Sequence, residues 1–213
     1  MVDSQKLTKY KPIGWSEVNL EVIAEEIYRY PSFYGMEHLK EGVPVIRGEH
    51  IKENGTISND WNNYWFVTEK QSSEFPRTIL NKGDLVMSVR GSIGKIGLID
   101  EDLNKAQISP NCIKIALYKN IVLPRFYLLY LKSLKGQELI QSITSSTTIK
   151  TIKASLLSKI SLPLPPLNEQ KRIVAKIEAL QERSQRVKAE LVAIRPLLNK
   201  FRQSVLAAAF RGD

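Results

Sequence analysis

Residues 90–97, RGSIGKIG, set glycines at 91, 94 and 97 around Ser92, with Arg90 and Lys95 as the basic members. Glycine lets backbone come close to a phosphate, and the two cations supply opposite charge, so the chemistry on offer is anion binding. The three-residue spacing differs from that of a dinucleotide or S-adenosylmethionine loop, and no crossover helix follows, so a glycine-rich turn between strands is the plainer reading. Nothing else in the chain suggests catalysis. The only Pro-Pro pair, 165–166, is followed by Leu167, so the Asn/Asp-Pro-Pro-aromatic motif of methyl transfer is absent. His38 and His50 lie twelve apart in no ligand pattern and read as structural or surface residues; Asp100, Glu101 and Asp102 read as a solvated turn. Cys112, the single cysteine, reads as a small core residue and leaves no disulfide framework or cysteine-rich zinc site. The expectation is no catalytic residue, no metal and no cofactor.

Charge is distributed unevenly. Residues 1–76 carry a net −4, residues 77–167 a net +8 and residues 168–213 a net +5, giving +9 over 213 residues. A basic second half on a chain of otherwise average composition suits a surface that faces a polyanion. No run of eighteen apolar residues occurs, and MVDSQKLTKYKP lacks the apolar core of a secretion signal, so a reduced cytoplasmic protein is expected, with no membrane span.

The elements that would position these residues follow from periodicity. Residues 17–30 predict a short helix ended by Pro31. VPVIRGEHI and DWNNYWFV predict strands around KENGTIS, where Asn54-Gly55 suits a type I′ hairpin turn. GDLVMSV and GKIGLID predict a strand pair, QISPNCIKIAL one further strand, and residues 123–143 a helix with Pro124 in its first turn. Residues 144–153 form a polar loop, and ASLLSKISLPL a short element before the prolines. The fold class is α+β: a mixed globular domain over residues 1–165, then a long C-terminal coiled-coil helix over 166–213.

That helix should start behind Pro165-Pro166, with Asn168 as N-cap. Ile173, Ile177, Leu180, Ser184, Val187, Leu191, Ile194, Leu198, Phe201, Val205 and Ala208 alternate spacings of four and three, and ten of these eleven positions are apolar. Five heptads in phase indicate a seam for a partner helix; a helix lying on its own domain would carry a wider stripe. Pro196 kinks the helix or splits it, and the unbroken phase favours a kink. Unbroken, Glu169 to Arg195 would span about 40 Å, close to the spacing of roughly 34–36 Å between DNA half-sites on one face of a duplex.

Four stretches carry a family resemblance: Gly14-Trp15, GVPVIRGEHI at 42–51, GDLVMSVRGSIGKIGLID at 83–100 and, most specific, LPLPPLNEQKRIVAKIEAL at 162–180. With AAAFRG at 207–212 they span nearly the whole chain, which resembles the specificity (S) subunit of type I restriction–modification systems. The resemblance implies a target recognition domain followed by a spacer helix that pairs with another helix and docks methyltransferase (M) subunits. S-adenosylmethionine would be bound by the M subunit, and a restriction (R) subunit is a further partner. A typical S subunit carries two recognition domains and two helices. This chain carries one of each, so it resembles a half subunit expected to homodimerise through Ile173, Ile177, Leu180, Val187, Leu191, Ile194, Leu198, Phe201 and Val205.

Reading double-stranded DNA needs cations on phosphates and polar side chains on base edges. Three loops fit: Arg47 and Gly48 with Trp61, Asn62, Asn63 and Tyr64; then Arg90, Ser92 and Lys95; then Thr147, Thr148, Lys150 and Lys153. Trp61 and Trp65 could equally be core. The rival to DNA reading is a coiled-coil scaffold, or an orphan S-like fragment, that binds M subunits without reading DNA.

Overall fold

The computed structural model describes residues 14–30, 39–145 and 150–212. His38, Thr147 and Thr148 lie outside the described residues. Strands β1 (Ser16–Asn19), β2 (Ala24–Arg29), β3 (Val43–Ile46), β4 (Trp65–Val67), β5 (Leu85–Ser88), β6 (Ile96–Leu98), β7 (Gln107–Ile108), β8 (Cys112–Leu117) and β9 (Ser161–Leu164) are interleaved with helices. These are α1 (Leu20–Ile23), α2 (Glu69–Glu74), α3 (Pro124–Lys132), α4 (Leu134–Ser142), α5 (Ala154–Leu157) and α6 (Leu167–Arg211). The strands form sheets ordered β2-β8-β5-β6, β4-β3-β7 and β1-β9. The class is α+β, as the sequence indicates.

The main core joins the two larger sheets. Val86 of β5 and Cys112 of β8 pack with Ile46 of β3, Ile108 of β7, Leu80 and Ile99, with Tyr30 and Tyr64 in the same cluster. All six residues of β8 are buried, which is why its sequence is an almost continuous apolar run. Burial pushes the Cys112 thiol up to about 11, so it stays protonated and inert in the core.

Several sequence expectations are corrected. Residues 17–30 are not one helix: α1 is a single turn between β1, which pairs with β9, and β2, which pairs with β8. Strand partners about ninety and about one hundred and forty positions away in the chain override the local periodicity. Asn54-Gly55 does turn the chain, but only Gly55 has positive φ (+86°), so the turn is not type I′. The flanking residues make just the bridge Ile51↔Ile57, with the Asn54 side chain accepting from the Thr56 amide at 3.0 Å. QISPNCIKIAL is two strands in different sheets, because Ser109-Pro110-Asn111 breaks it. The helix over 123–143 is also two, split at Ser133, whose hydroxyl caps α4 by accepting from the Gly136 amide at 3.2 Å.

A charge cluster ties β2 to β8. The Lys114 ammonium, nearly buried, lies 2.8 Å from Glu26 and donates to the carbonyls of Ile79 (2.9 Å) and Arg77 (3.2 Å). Arg77 completes the cluster, 2.6 Å from Glu26 and stacked over Tyr28. Burial pushes Glu26 up, but hydrogen bonds from Lys114 and Arg77 outweigh it and hold the carboxyl below its ordinary value. Glu26→Ala would leave Lys114 buried without its counter-ion, and about 3 kcal/mol of stability should be lost in neutral denaturant titrations. Because the folded value is the lower one, this contribution is whole above the ordinary Glu value of about 4.3 and vanishes as pH falls through the folded value. The gap between wild type and Glu26→Gln should therefore narrow in acid.

Contacts divide the chain into a unit through Lys171 and a second from Arg172. Within the first, β9 runs directly into the proline pair. Pro163 is tolerated there because the β1-β9 sheet has only two strands, and its carbonyl accepts from the Tyr127 hydroxyl at 3.0 Å. α6 begins at Leu167, so Asn168 lies in its first turn and not at the cap; the Pro166 carbonyl accepts from Glu169 and Gln170. Gln170 is fully buried: its Oε1 accepts from the Leu123 amide at 2.8 Å, and its Nε2 donates to the Pro165 carbonyl at 2.9 Å and the Ile121 carbonyl at 3.3 Å.

The second unit is helical from Arg172 to Arg211. α6 continues through Pro196 and is not split there, although Pro196 leaves the Val192 carbonyl without its usual donor. Ile173 and Ile177 are half-buried; Leu180, Val187, Leu191, Ile194, Leu198, Phe201 and Val205 are exposed, Phe201 by 68%.

Candidate nucleic-acid interface

One cleft of about 460 Å³ gathers residues from three loops and a strand that are distant in sequence: Arg47 and Glu49 after β3, Trp65 on β4, Arg90 and Ser92 after β5, and Asn111 before β8. The sheet pairings dictate this convergence. Trp65 and Gln107 are both register partners of Val45, so the chain leaves β3 at Arg47 and leaves β7 toward Pro110-Asn111 on the same side. Ser88 pairs with Cys112, which brings the loop after β5 against that turn, and the Val89 amide donates to the Asn111 carbonyl at 2.8 Å.

Arg47 is held by three contacts, although its buried Nε has no hydrogen-bond partner among the described residues. Its guanidinium lies 3.8 Å above the Trp65 ring, donates to the Asn63 carbonyl at 2.6 Å and pairs with Glu49. Glu49 is the only carboxylate among the described cleft residues, and Arg47 neutralises it. Gly48 packs closely on Ser88: a Cβ there would fall 2.4 Å from its hydroxyl and 3.0 Å from its Cβ, so Ser88 would have to shift. His50 supports the loop from beneath. Its Nδ1 accepts from the Arg47 amide at 3.2 Å, so Nε2 carries the proton and donates to the Asn63 carbonyl at 3.2 Å. Burial holds the imidazole below its ordinary value and hence neutral.

The 61–64 segment separates by role. Trp61, Asn62 and Asn63 form an exposed 3-10 turn, in which the Asn63 amide donates to Asp60 at 2.7 Å. Tyr64 is buried, stacks on His50 at 3.9 Å and donates its hydroxyl to the Ser58 carbonyl, so it is a packing residue. Neither Trp61 (43% exposed) nor Trp65 (40%) belongs to the core.

Arg90, Ser92 and Asn111 are exposed on the rim, and Gly91 is open around its Cα, with φ +71°. Lys95 is not with them. It pairs with Glu53 at 3.0 Å and lines a separate hollow of about 270 Å³ with Lys52, Lys132 and Gln137. Lys150 and Lys153 are exposed and adjoin Thr151 and Ile152, which Arg29 contacts together with Pro110. The structure thus brings parts of the first two expected loops into one cleft, while the third segment reaches it only through the Arg29 contacts to Pro110, Thr151 and Ile152. It adds Arg29, Trp65 and Asn111, of which Asn111 carried a readable signal in the Ser-Pro-Asn turn. The arrangement offers cations, amides and a hydroxyl but no acid–base or nucleophilic constellation. Among the described residues no cluster of His, Cys, Asp and Glu could hold a metal, and no helix is long and apolar enough to cross a membrane.

Comparison with known proteins gives a consistent result. The family described as "Type I restriction modification DNA specificity domain" matches residues 12–194. The type I restriction enzyme EcoBI specificity subunit of Escherichia coli is 28% identical over 98% of this chain and 44% of its own length. The StySPI specificity subunit of Salmonella potsdam is 27% identical over 94% of this chain and 43% of its own. The chain therefore spans a little under half the length of these curated relatives. Among solved structures, a chain from work on assembly and conformational transition of the type I R-M system superposes with a TM-score of 0.68 at 23% identity, covering 96% of this chain and 47% of its own. The HsdS subunit from Thermoanaerobacter tengcongensis gives 0.61 at 22% identity, covering 84% and 45%. At these identities the structures speak for the shared fold.

Proposed function

We propose, from the premise that this chain belongs to the type I restriction–modification DNA specificity family, that its globular unit is a target recognition domain for double-stranded DNA. It performs no chemistry itself. It directs M subunits, which bind S-adenosylmethionine, and an R subunit where one is present, to a chosen sequence in the cytoplasm. The exposed heptad seam of α6 pairs two copies, so that the site read is an interrupted inverted repeat. The observation that carries the DNA reading is the cleft rim: Arg90, Ser92 and Asn111 stand exposed beside an Arg47–Trp65 wall whose one carboxylate is already neutralised. Such a rim places phosphate cations next to amide and hydroxyl groups that can read base edges.

The deciding experiment is single-molecule methylation mapping of a genome carrying this chain and its M subunit. Adenine methylation at one bipartite sequence is expected. Methylation that is indiscriminate, or unchanged when this chain is deleted, favours the scaffold that binds M subunits without reading DNA. On a finer scale, Lys150→Ala with Lys153→Ala should weaken duplex binding and lower the slope of log affinity against log salt by about 2, if each contacts one phosphate. An unchanged slope removes this segment from the contact surface.

A further inference from the structure

Arg29 ends β2, opposite Ile113 at the start of β8. Its side chain reaches two segments of the chain at once. Nε donates to the Pro110 carbonyl at 3.4 Å, and Nη1 is shared between the Thr151 hydroxyl at 3.3 Å and the Ile152 carbonyl at 3.4 Å. Pro110 lines the cleft beside Arg90 and Asn111, whereas Thr151 and Ile152 lie between Lys150 and Lys153. One guanidinium therefore connects the rim to a segment that lies 122 residues beyond Arg29 itself in the chain.

The choice of residue is informative. Arg29 is half-buried, and among the described residues its partners are two carbonyls and a hydroxyl, with no carboxylate. Burial, and then the like charge of Arg90, hold it below the ordinary guanidinium value. A purely structural tie would be made more cheaply by a neutral amide, because a partly buried cation without a counter-ion costs free energy. That cost is offset when a polyanion covers the rim.

Resting on the DNA-reading assignment above, we propose that Arg29 is a positioning residue for sequence recognition. It fastens Thr151–Ile152 to the Pro110–Asn111 rim, so that Lys150 and Lys153 on one segment and Arg90 and Asn111 on the other meet the duplex in a fixed register. Phosphate contacts made by the first then determine where the polar side chains of the second fall on the bases.

The test uses the full chain in wild-type, Arg29→Met and Arg29→Lys forms. Amide hydrogen exchange without DNA should speed up roughly tenfold at Thr151–Lys153 in Arg29→Met, while β5 and β8 stay unchanged; Arg29→Lys, with one ammonium in place of a fork, should fall between. A duplex bearing the sequence found by methylation mapping is then compared with single-base variants and with a random duplex. Arg29→Met should lose roughly tenfold in discrimination and much less in affinity for the random duplex. The proposal is overturned if exchange at Thr151–Lys153 is unchanged, if it rises equally in β8, or if specific and random affinities fall together. A wild-type chain with no sequence preference would overturn the DNA-reading assignment instead, and the exchange result is independent of it.

Discussion

Leu191→Lys is expected to abolish the proposed pairing of α6 helices and leave the chain monomeric at micromolar concentration, as read by light scattering or sedimentation. Leu191 is 60% exposed on a seam whose neighbours Val187, Ile194 and Leu198 are exposed as well. In a symmetric pair each substitution is felt twice. Burying a leucine contributes about 2 kcal/mol, so losing two weakens association by about 4 kcal/mol, roughly a thousandfold in Kd. Lysine adds the cost of placing an ammonium in an apolar seam. The far side of the helix supplies the control: Gln203→Ala, at an exposed polar position opposite the seam, should leave association unchanged. A wild-type chain that is monomeric at high concentration would remove the homodimer, and pairing would then require M subunits.

The second large effect concerns the globular unit. Gly136→Ala should lower its stability by at least about 3 kcal/mol, read as a shift in denaturant midpoint with the slope unchanged. A Cβ at 136 would sit 2.2 Å from the Tyr130 carbonyl oxygen and 2.5 Å from the Leu131 Cα. Both are backbone atoms of α3, so no rotamer change relieves the clash and the two helices must separate. The α3–α4 corner packs Tyr127, Leu128, Leu131 and Ile140 into the interior, so separation exposes apolar surface. Ala is ordinarily the better helix residue by about 1 kcal/mol, so a stabilised variant would refute the close approach outright.

What the sequence disclosed, and what it withheld, divides by the range of the forces involved. The β5–β6 pair and the long helix behind the prolines were legible because each is written in local pattern: alternation on either side of a glycine turn, and heptads in phase. Residues 17–30 misled because Leu20 and Ile23 have helical spacing, while what shapes the segment is pairing with β8 and β9, set by residues not yet reached in the chain. Ser133 looked like an ordinary helix interior, and only the contact of Gly136 with the preceding helix shows why the chain breaks there. The candidate site behaved in the same way. Arg47, Gly48, Arg90 and Ser92 were recognisable as loop residues of suitable chemistry, and the structure brings them to one cleft. Lys95 has identical chemistry but faces another hollow, and Tyr64 is consumed by stacking, distinctions that depend on the fold. Arg29 gave no signal at all, since its importance lies in contacts that cross most of the chain.

The buried amide of Gln170 has a bearing on how such modules can be exchanged. Its three bonds reach Leu123, Ile121 and Pro165, so the first turn of the rod is chemically part of the head. In a chimera spliced at the proline pair, the residue supplied at position 170 must itself offer the Leu123 amide an acceptor. A crossover placed after Lys171 would carry the whole clasp across intact. Splicing at the prolines with a partner that carries no acceptor at position 170 should therefore destabilise the head, whereas splicing after Lys171 should not.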